Sequence, residues 1–139
     1  MLLLYAHAAA VCALAGLIWV VQLVLYPGFL LVGGCPDWPA FHAAHSRRMA
    51  GVVVLPWAVQ GVTLAALLLT RPVPLWLLAL AALCALATVL LTVAVSVPLH
   101  SRLSAYDVDV ARALIRTNWW RTAAWTGAAA CGVAMLAVS

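Results

Sequence analysis

The sequence predicts an all-α integral membrane protein, folded as a four-transmembrane-helix bundle. Of its 139 residues, 68% are hydrophobic and only 7% are charged, whereas soluble domains are about one-quarter charged. The apolar residues also fall into runs near the roughly 20 residues that a membrane-spanning helix needs. The chain therefore lacks the polar residues to cover a water-facing surface, and we expect one domain, residues 1–139.

Four spans follow from the apolar runs and from the prolines and glycines between them. Pro27 and Gly28 are expected to end the first span, Pro56 to bend the second and Pro98 to end the third, because proline disrupts helices. The expected spans are residues 2–26, 41–70, 75–97 and 118–138. Residues 107–116 begin with acids and end with arginines, an order that favours a short interfacial helix between spans three and four.

The placement of arginine predicts the orientation of the bundle. Six of the seven basic residues fall on the side that holds the first and third loops, and only Arg71 falls on the other. Because arginine-rich loops stay in the cytoplasm, both termini are expected on the non-cytoplasmic side of a bacterial inner membrane. The lipid bilayer is the expected partner, and a net charge of +4 is too small and too scattered along the chain to suggest nucleic-acid binding.

This topology brings most of the unusual polar residues to the arginine-rich end. Gln22 and Arg121 lie about one turn inside their spans, where polar and ionisable groups are costly and mark functional sites. The competing interpretation is structural, because tryptophan and arginine at this depth also serve as membrane anchors. All four spans contribute to this end, through Trp19, Gln22, Tyr26, Phe41, His42, His45, Arg47, Arg48, Ser96, Pro98, His100, Asn118, Trp119, Trp120, Arg121 and Trp125.

Three histidines at this end are candidate metal ligands. His42 and His45 are three residues apart and share a helix face, and His100 would come from a neighbouring span. Such a set suits copper, iron or zinc, and one histidine from each of two spans suits haem iron. Spacing does not choose among a metal, haem and no cofactor at all.

Four segments resemble the signature blocks of the anthrone-oxygenase-like family of small bacterial four-span membrane proteins. The segments are IWVVQLVLYPGF, FHAAHSRRM, VPLHSRL and TNWWRTAAW, and together they span nearly the whole chain in the family's order. His100 stands where the common form of the family has asparagine. The resemblance therefore indicates a sister group of that family.

The resemblance implies oxidation of an aromatic anthrone to a quinone, without a well-defined cofactor. It implies His100 as the proton acceptor, because imidazole suits proton transfer near pH 7. It also implies that Asn118 and Arg121 stabilise the resulting phenolate or enolate. Aromatic and polar side chains would bind the planar lipophilic molecule; these are Trp19, Gln22, Tyr26, Trp119 and Trp125.

Two functions from different classes remain at this point. The first is an oxidoreductase or oxygenase acting on a lipophilic aromatic or quinone-like molecule in a pocket at the cytoplasmic end. The second is a non-catalytic binding or accessory subunit of a larger membrane complex. A homo-oligomer is compatible with both.

Overall fold

The computed structural model describes all 139 residues, and its regular elements are all helical. We number the long helices α1 (Leu2–Val32), α2 (Trp38–Thr70), α3 (Leu75–Arg102) and α4 (Val108–Ala137). By length and composition, α1, α2 and α3 are able to cross a membrane. The 30-residue α4 is as long but more polar. The prediction of an all-helical protein with several helices long and apolar enough to span a membrane is confirmed.

The helices run alternately up and down, with one seam of the bundle left open. α1 packs along α2 on one side and α4 on the other, and α3 packs along α4. α2 and α3 touch little beyond their connecting turn, where Leu67, Val73 and Leu77 share an apolar cluster. Arg71, in the left-handed conformation at φ 49°, ends α2 and lets the chain reverse.

Both α1 and α3 continue through prolines that were expected to end them. Pro27 and Pro98 lie inside these helices, each just after one wide π-helical turn, Val21–Leu25 and Thr92–Ser96 respectively. A proline ring collides with the carbonyl four residues before it and cannot donate to it, and a π turn displaces that carbonyl. The expected ends of spans one and three are therefore wrong. Pro56 likewise lies inside α2 without ending it.

Residues 107–116 do not form the separate short helix that their charges suggested. They are the first turns of α4, which continues without a break from Val108. The Asp107 carboxylate caps the helix by accepting hydrogen bonds from the backbone N–H groups of Asp109 and Val110, at 2.8 and 3.1 Å. The helix does not break because Ala111 and Leu114 are buried on the face that continues into the bundle.

α1 and α4 approach each other closely at Gly132. A methyl group at this position would lie 2.7 Å from Val11 Cγ2 and 3.3 Å from Ala8 Cα. Small residues allow this spacing between membrane helices. This contact holds α4 against α1 in the half of the bundle that lies away from the polar residues.

We expect Gly132→Ala to lower the free energy of unfolding by about 1–3 kcal/mol, because the added methyl overpacks the α1–α4 contact. Gly16→Ala is the control, since open space surrounds its Cβ position. This control should be neutral or stabilising by up to about 1 kcal/mol, because alanine favours helix. Unfolding of the detergent-solubilised protein measures both changes, and equal effects would contradict the close contact.

Candidate functional site

A cavity of about 510 Å³ lies between the helices, in the half of the bundle that carries the α1–α2 and α3–α4 loops. All four helices contribute to its wall, and its volume is typical of small-molecule sites. We call it the site cavity. Its ionisable and hydroxyl groups include Tyr26, His42, His45, Ser96, His100 and Arg121, and its apolar wall includes Leu14, Met49, Val53, Trp57 and Trp125.

A hydrogen-bonded chain joins three ionisable side chains of this cavity. Tyr26 Oη lies 2.9 Å from His100 Nε2, and His100 Nδ1 lies 3.1 Å from His42 Nε2. A neutral imidazole carries one N–H. When Tyr26 donates to His100 Nε2, His100 therefore donates through Nδ1 to His42 Nε2. The chain connects α1, α3 and α2 in that order and gives a proton a path between them.

Aromatic packing places His42 at the end of this chain. The Trp38 ring stacks on His42 with centroids 5.2 Å apart. Trp38 Nε1 donates to the backbone carbonyl of Leu103 at 2.8 Å, which ties the start of α2 to the α3–α4 loop. Phe29 packs edge-on against both rings. Trp38 and Phe29 were not predicted from the sequence as site residues, although both are almost fully buried.

A second polar network holds Arg121 beside the cavity. Arg121 Nη1 donates to Ser96 Oγ at 3.2 Å and to Asn118 Oδ1 at 3.1 Å. Asn118 Nδ2 donates to Gln22 Oε1 at 2.8 Å, and Gln22 Nε2 donates to the Ile115 carbonyl at 3.2 Å. Gln22 and Asn118 are buried behind the cavity wall. Their amides therefore orient the guanidinium rather than face the cavity.

No acidic side chain balances the charge of Arg121. The structure has one ion pair, between Arg112 and Asp109 at 3.4 Å on the surface. Arg121 bonds only to neutral groups, and its Nε is buried without a hydrogen-bond partner. Ser46 Oγ, also in the cavity wall, is buried without a partner as well. An unpaired cation in apolar surroundings is costly, so the site cavity favours a ligand with negative charge.

The predicted three-histidine metal site is not found. No group of three His, Cys, Asp or Glu side chains is arranged to hold a metal ion. His42 Nε2 and His100 Nδ1 lie 3.1 Å apart and form a hydrogen bond with each other. The His45 ring instead packs edge-on against Phe29, 5.0 Å away. The arrangement of these histidines therefore gives no support to a copper, iron or zinc centre or to a haem held between two imidazoles.

The structure separates the three tryptophans that were expected to bind a ligand. Trp125 is buried, lines the cavity and lies 6.4 Å from Trp57. Trp19 and Trp119 are 39% and 47% exposed and pack on each other outside the cavity. Trp119 directly follows Asn118, so it lies about 100° around the helix from that buried residue. Trp19 and Trp119 are thus not cavity walls.

Of the other predicted site residues, Tyr26, His100 and Arg121 line the cavity, while Gln22 and Asn118 support it from behind. Trp57 and Ser46 also line the cavity and were missed. Helical spacing along α2 contains the signal for them. The face of α2 that carries His42 continues through Ser46, Met49, Val53 and Trp57, which follow at steps of three or four residues.

No protein-family model, curated protein or solved structure matches the chain. Its function is therefore inferred from the geometry and charge of the site cavity, together with the resemblance of its sequence segments.

We expect Asn118→Leu to lower the free energy of unfolding by about 1–3 kcal/mol, because it leaves the buried Gln22 oxygen without its donor. Thr126→Val is the control, since it removes an exposed hydroxyl that accepts from Trp19 at 3.1 Å. The control should change stability by less than about 0.5 kcal/mol. Denaturant titration compares the two variants, and an Asn118→Leu protein as stable as wild type would contradict the buried network.

Proposed function

We propose that the protein binds a lipophilic aromatic molecule bearing an acidic oxygen and removes a proton from it, as the first step of its oxidation. The observation that carries this proposal is the unbalanced charge of Arg121 in the same cavity as the chain of Tyr26, His100 and His42. The charge of Arg121 stabilises an anion, and the hydrogen-bonded chain accepts the proton whose loss creates that anion.

Arg121 supplies the recognition of the ligand oxygen. Its contacts with Ser96 and Asn118 both use Nη1, so donors of its planar group remain for a phenolate or enolate oxygen. Charge-assisted hydrogen bonds of this kind are about twice as strong as neutral ones. Trp57 and Trp125 line the deeper wall, where they offer apolar ring faces to a planar molecule.

The hydrogen-bonded chain carries the proton away from the ligand. As the Tyr26 oxygen takes a proton from the ligand, its own hydroxyl proton passes to His100 Nε2. The Nδ1 proton of His100 then passes to His42 Nε2, so that Tyr26 and His100 end neutral and His42 holds the charge. This relay needs the two contacts of 2.9 and 3.1 Å and moves the proton without any large displacement.

With an anthrone as ligand, dioxygen is the oxidant that completes the reaction. Loss of the proton leaves an electron-rich enolate, and the ring CH₂ becomes C=O by taking one oxygen atom. The other oxygen atom leaves as water with the two hydrogens, so the reaction balances. The resemblance of four sequence segments to the anthrone-oxygenase-like family supports this choice of substrate class.

A non-catalytic binding or accessory subunit is the second proposal. The observation that favours it is an exposed row of Trp19, Trp119 and Trp120 on the outer surface of α1 and α4, at the same end as the cavity. Such a row suits contact with another membrane chain or with lipid headgroups. In either proposal α4 is a fourth span and both termini lie outside the cytoplasm.

We expect His100→Gln to lower turnover of a dihydroxyanthrone at least about 100-fold, because general-base steps contribute about 10²–10⁴. His7→Gln is the matched control, since His7 is buried outside the cavity and contacts Thr63 at 2.9 Å. Quinone formation followed by absorbance, above the rate without protein, is the measurement. Full activity in a folded His100→Gln protein would refute the catalytic role, and no turnover by the wild type would favour the accessory subunit.

We expect His42→Phe to lower the same turnover about tenfold, because it keeps the stack on Trp38 but removes the proton acceptor at the end of the relay. Added imidazole should restore part of the activity by taking the place of the lost ring nitrogen. Initial rates with and without imidazole provide the measurement. A His42→Phe protein with the wild-type rate would show that the proton leaves by another route.

A further inference from the structure

The site cavity opens on one side only of the bundle. The wall residues contributed by α1 and α4 are buried or half-buried, among them Val21 and Trp125. The wall residues that are exposed come from α2, from α3 and from the loop that follows α3. They are Ala43, Ala50, Val97, Ser101 and Ser104. Because exposed wall residues mark the mouth of a cavity, the mouth lies at the open seam between α2 and α3.

In a membrane, this seam would face the lipid. α2 and α3 are both apolar enough to span a membrane, and their outward faces expose large apolar side chains. Leu55 and Val93 are 70% and 63% exposed. Small side chains at Ala43 and Ala50 leave the gap that α2 and α3 do not close. A molecule dissolved in the bilayer therefore meets the mouth without crossing water.

The charged group of the cavity, Arg121, lies close to an apolar part of the mouth. Arg121 bonds to Ser96, and Val97, the next residue along α3, is an exposed residue of the mouth. An anionic head at Arg121 thus sits beside an apolar exit between Ala50 and Val97. The serines of the mouth lie nearer the loop end, where a polar rim suits the membrane interface.

We infer that the site cavity is loaded laterally from the bilayer, and that its ligand is an amphiphile. The single anionic oxygen of this ligand lies on Arg121, and its hydrocarbon tail leaves through the α2–α3 seam. The aromatic nature of the head rests on the proposed function. The lateral route and the tail rest on the exposed wall residues and the unbalanced charge.

The probe for this inference is a hydroxynaphthoquinone that carries a long alkyl chain and is ionised at neutral pH. Binding is followed by quenching of tryptophan fluorescence, since Trp57 and Trp125 line the cavity, in protein reconstituted into nanodiscs of zwitterionic phospholipid. Ala50→Trp fills the seam. Ala58→Trp, on an exposed position of the same helix outside the cavity, is the matched control.

We expect Ala50→Trp to weaken binding at least about tenfold and Ala58→Trp to leave it unchanged. The parent hydroxynaphthoquinone without a chain should bind wild type at least about tenfold more weakly than the alkylated probe, because it lacks the tail. If Ala50→Trp does not fold, Val97→Phe fills the seam from the opposite side with the same expectation. Wild-type affinity in the folded seam variant, or no gain from the chain, would overturn the inference.

The same set of proteins separates this inference from the proposed function. Ala58→Trp should bind the alkylated probe like wild type, while His100→Gln should fail to oxidise an anthrone. If the His100→Gln protein oxidises the anthrone normally, the catalytic proposal fails and the lateral route stands. If the folded Ala50→Trp protein binds the probe normally, the lateral route fails and the chemistry at His100 stands.

Discussion

Arg121 places a positive charge inside the bundle, and the polar half of the structure is arranged around it. No carboxylate neutralises it. Neutral groups from three helices hold it instead, with Ser96 and Asn118 in direct contact and Gln22 behind Asn118. Because this network joins Arg121 to Ser96 on α3 and, through Asn118, to Gln22 on α1, α4 packs between α1 and α3. This constraint explains why the helix with the most polar character is central to the packing.

The two wide helical turns serve the same network. Gln22 lies in the π turn of α1, and Ser96 ends the π turn of α3. Each turn is followed by a proline within two residues. Just after each turn lies one member of the hydrogen-bonded chain, Tyr26 on α1 and His100 on α3. π turns inside helices are frequent at functional sites. The prolines therefore shape the site rather than end the spans.

Composition and the order of apolar runs predict the helical fold. A chain with so few charges is stable in a membrane, and helices satisfy the backbone hydrogen bonds there. Burial depth predicts Arg121 and Gln22 as site residues, although only the structure shows that Gln22 acts through Asn118. The prediction of His42 as a metal ligand gains no support, because its Nε2 forms a hydrogen bond with His100 Nδ1, and spacing along one helix cannot show such a contact. The open α2–α3 seam could not be predicted from the sequence either, because apolar residues are spread around most of both helices and their pattern does not mark a free face.

The proposed function depends above all on the binding of an anionic oxygen by Arg121 in the site cavity. The most direct measurement compares the affinity of the ionised alkyl hydroxynaphthoquinone with that of its neutral methyl ether, in wild type and in Arg121→Gln. The two ligands share their ring and tail, so their difference isolates the charge. We expect wild type to prefer the ionised ligand at least about tenfold, since charge-assisted pairs contribute about 1.5–3 kcal/mol, and Arg121→Gln to lose that preference. Equal affinities in wild type, or an unchanged preference in Arg121→Gln, would contradict the claim.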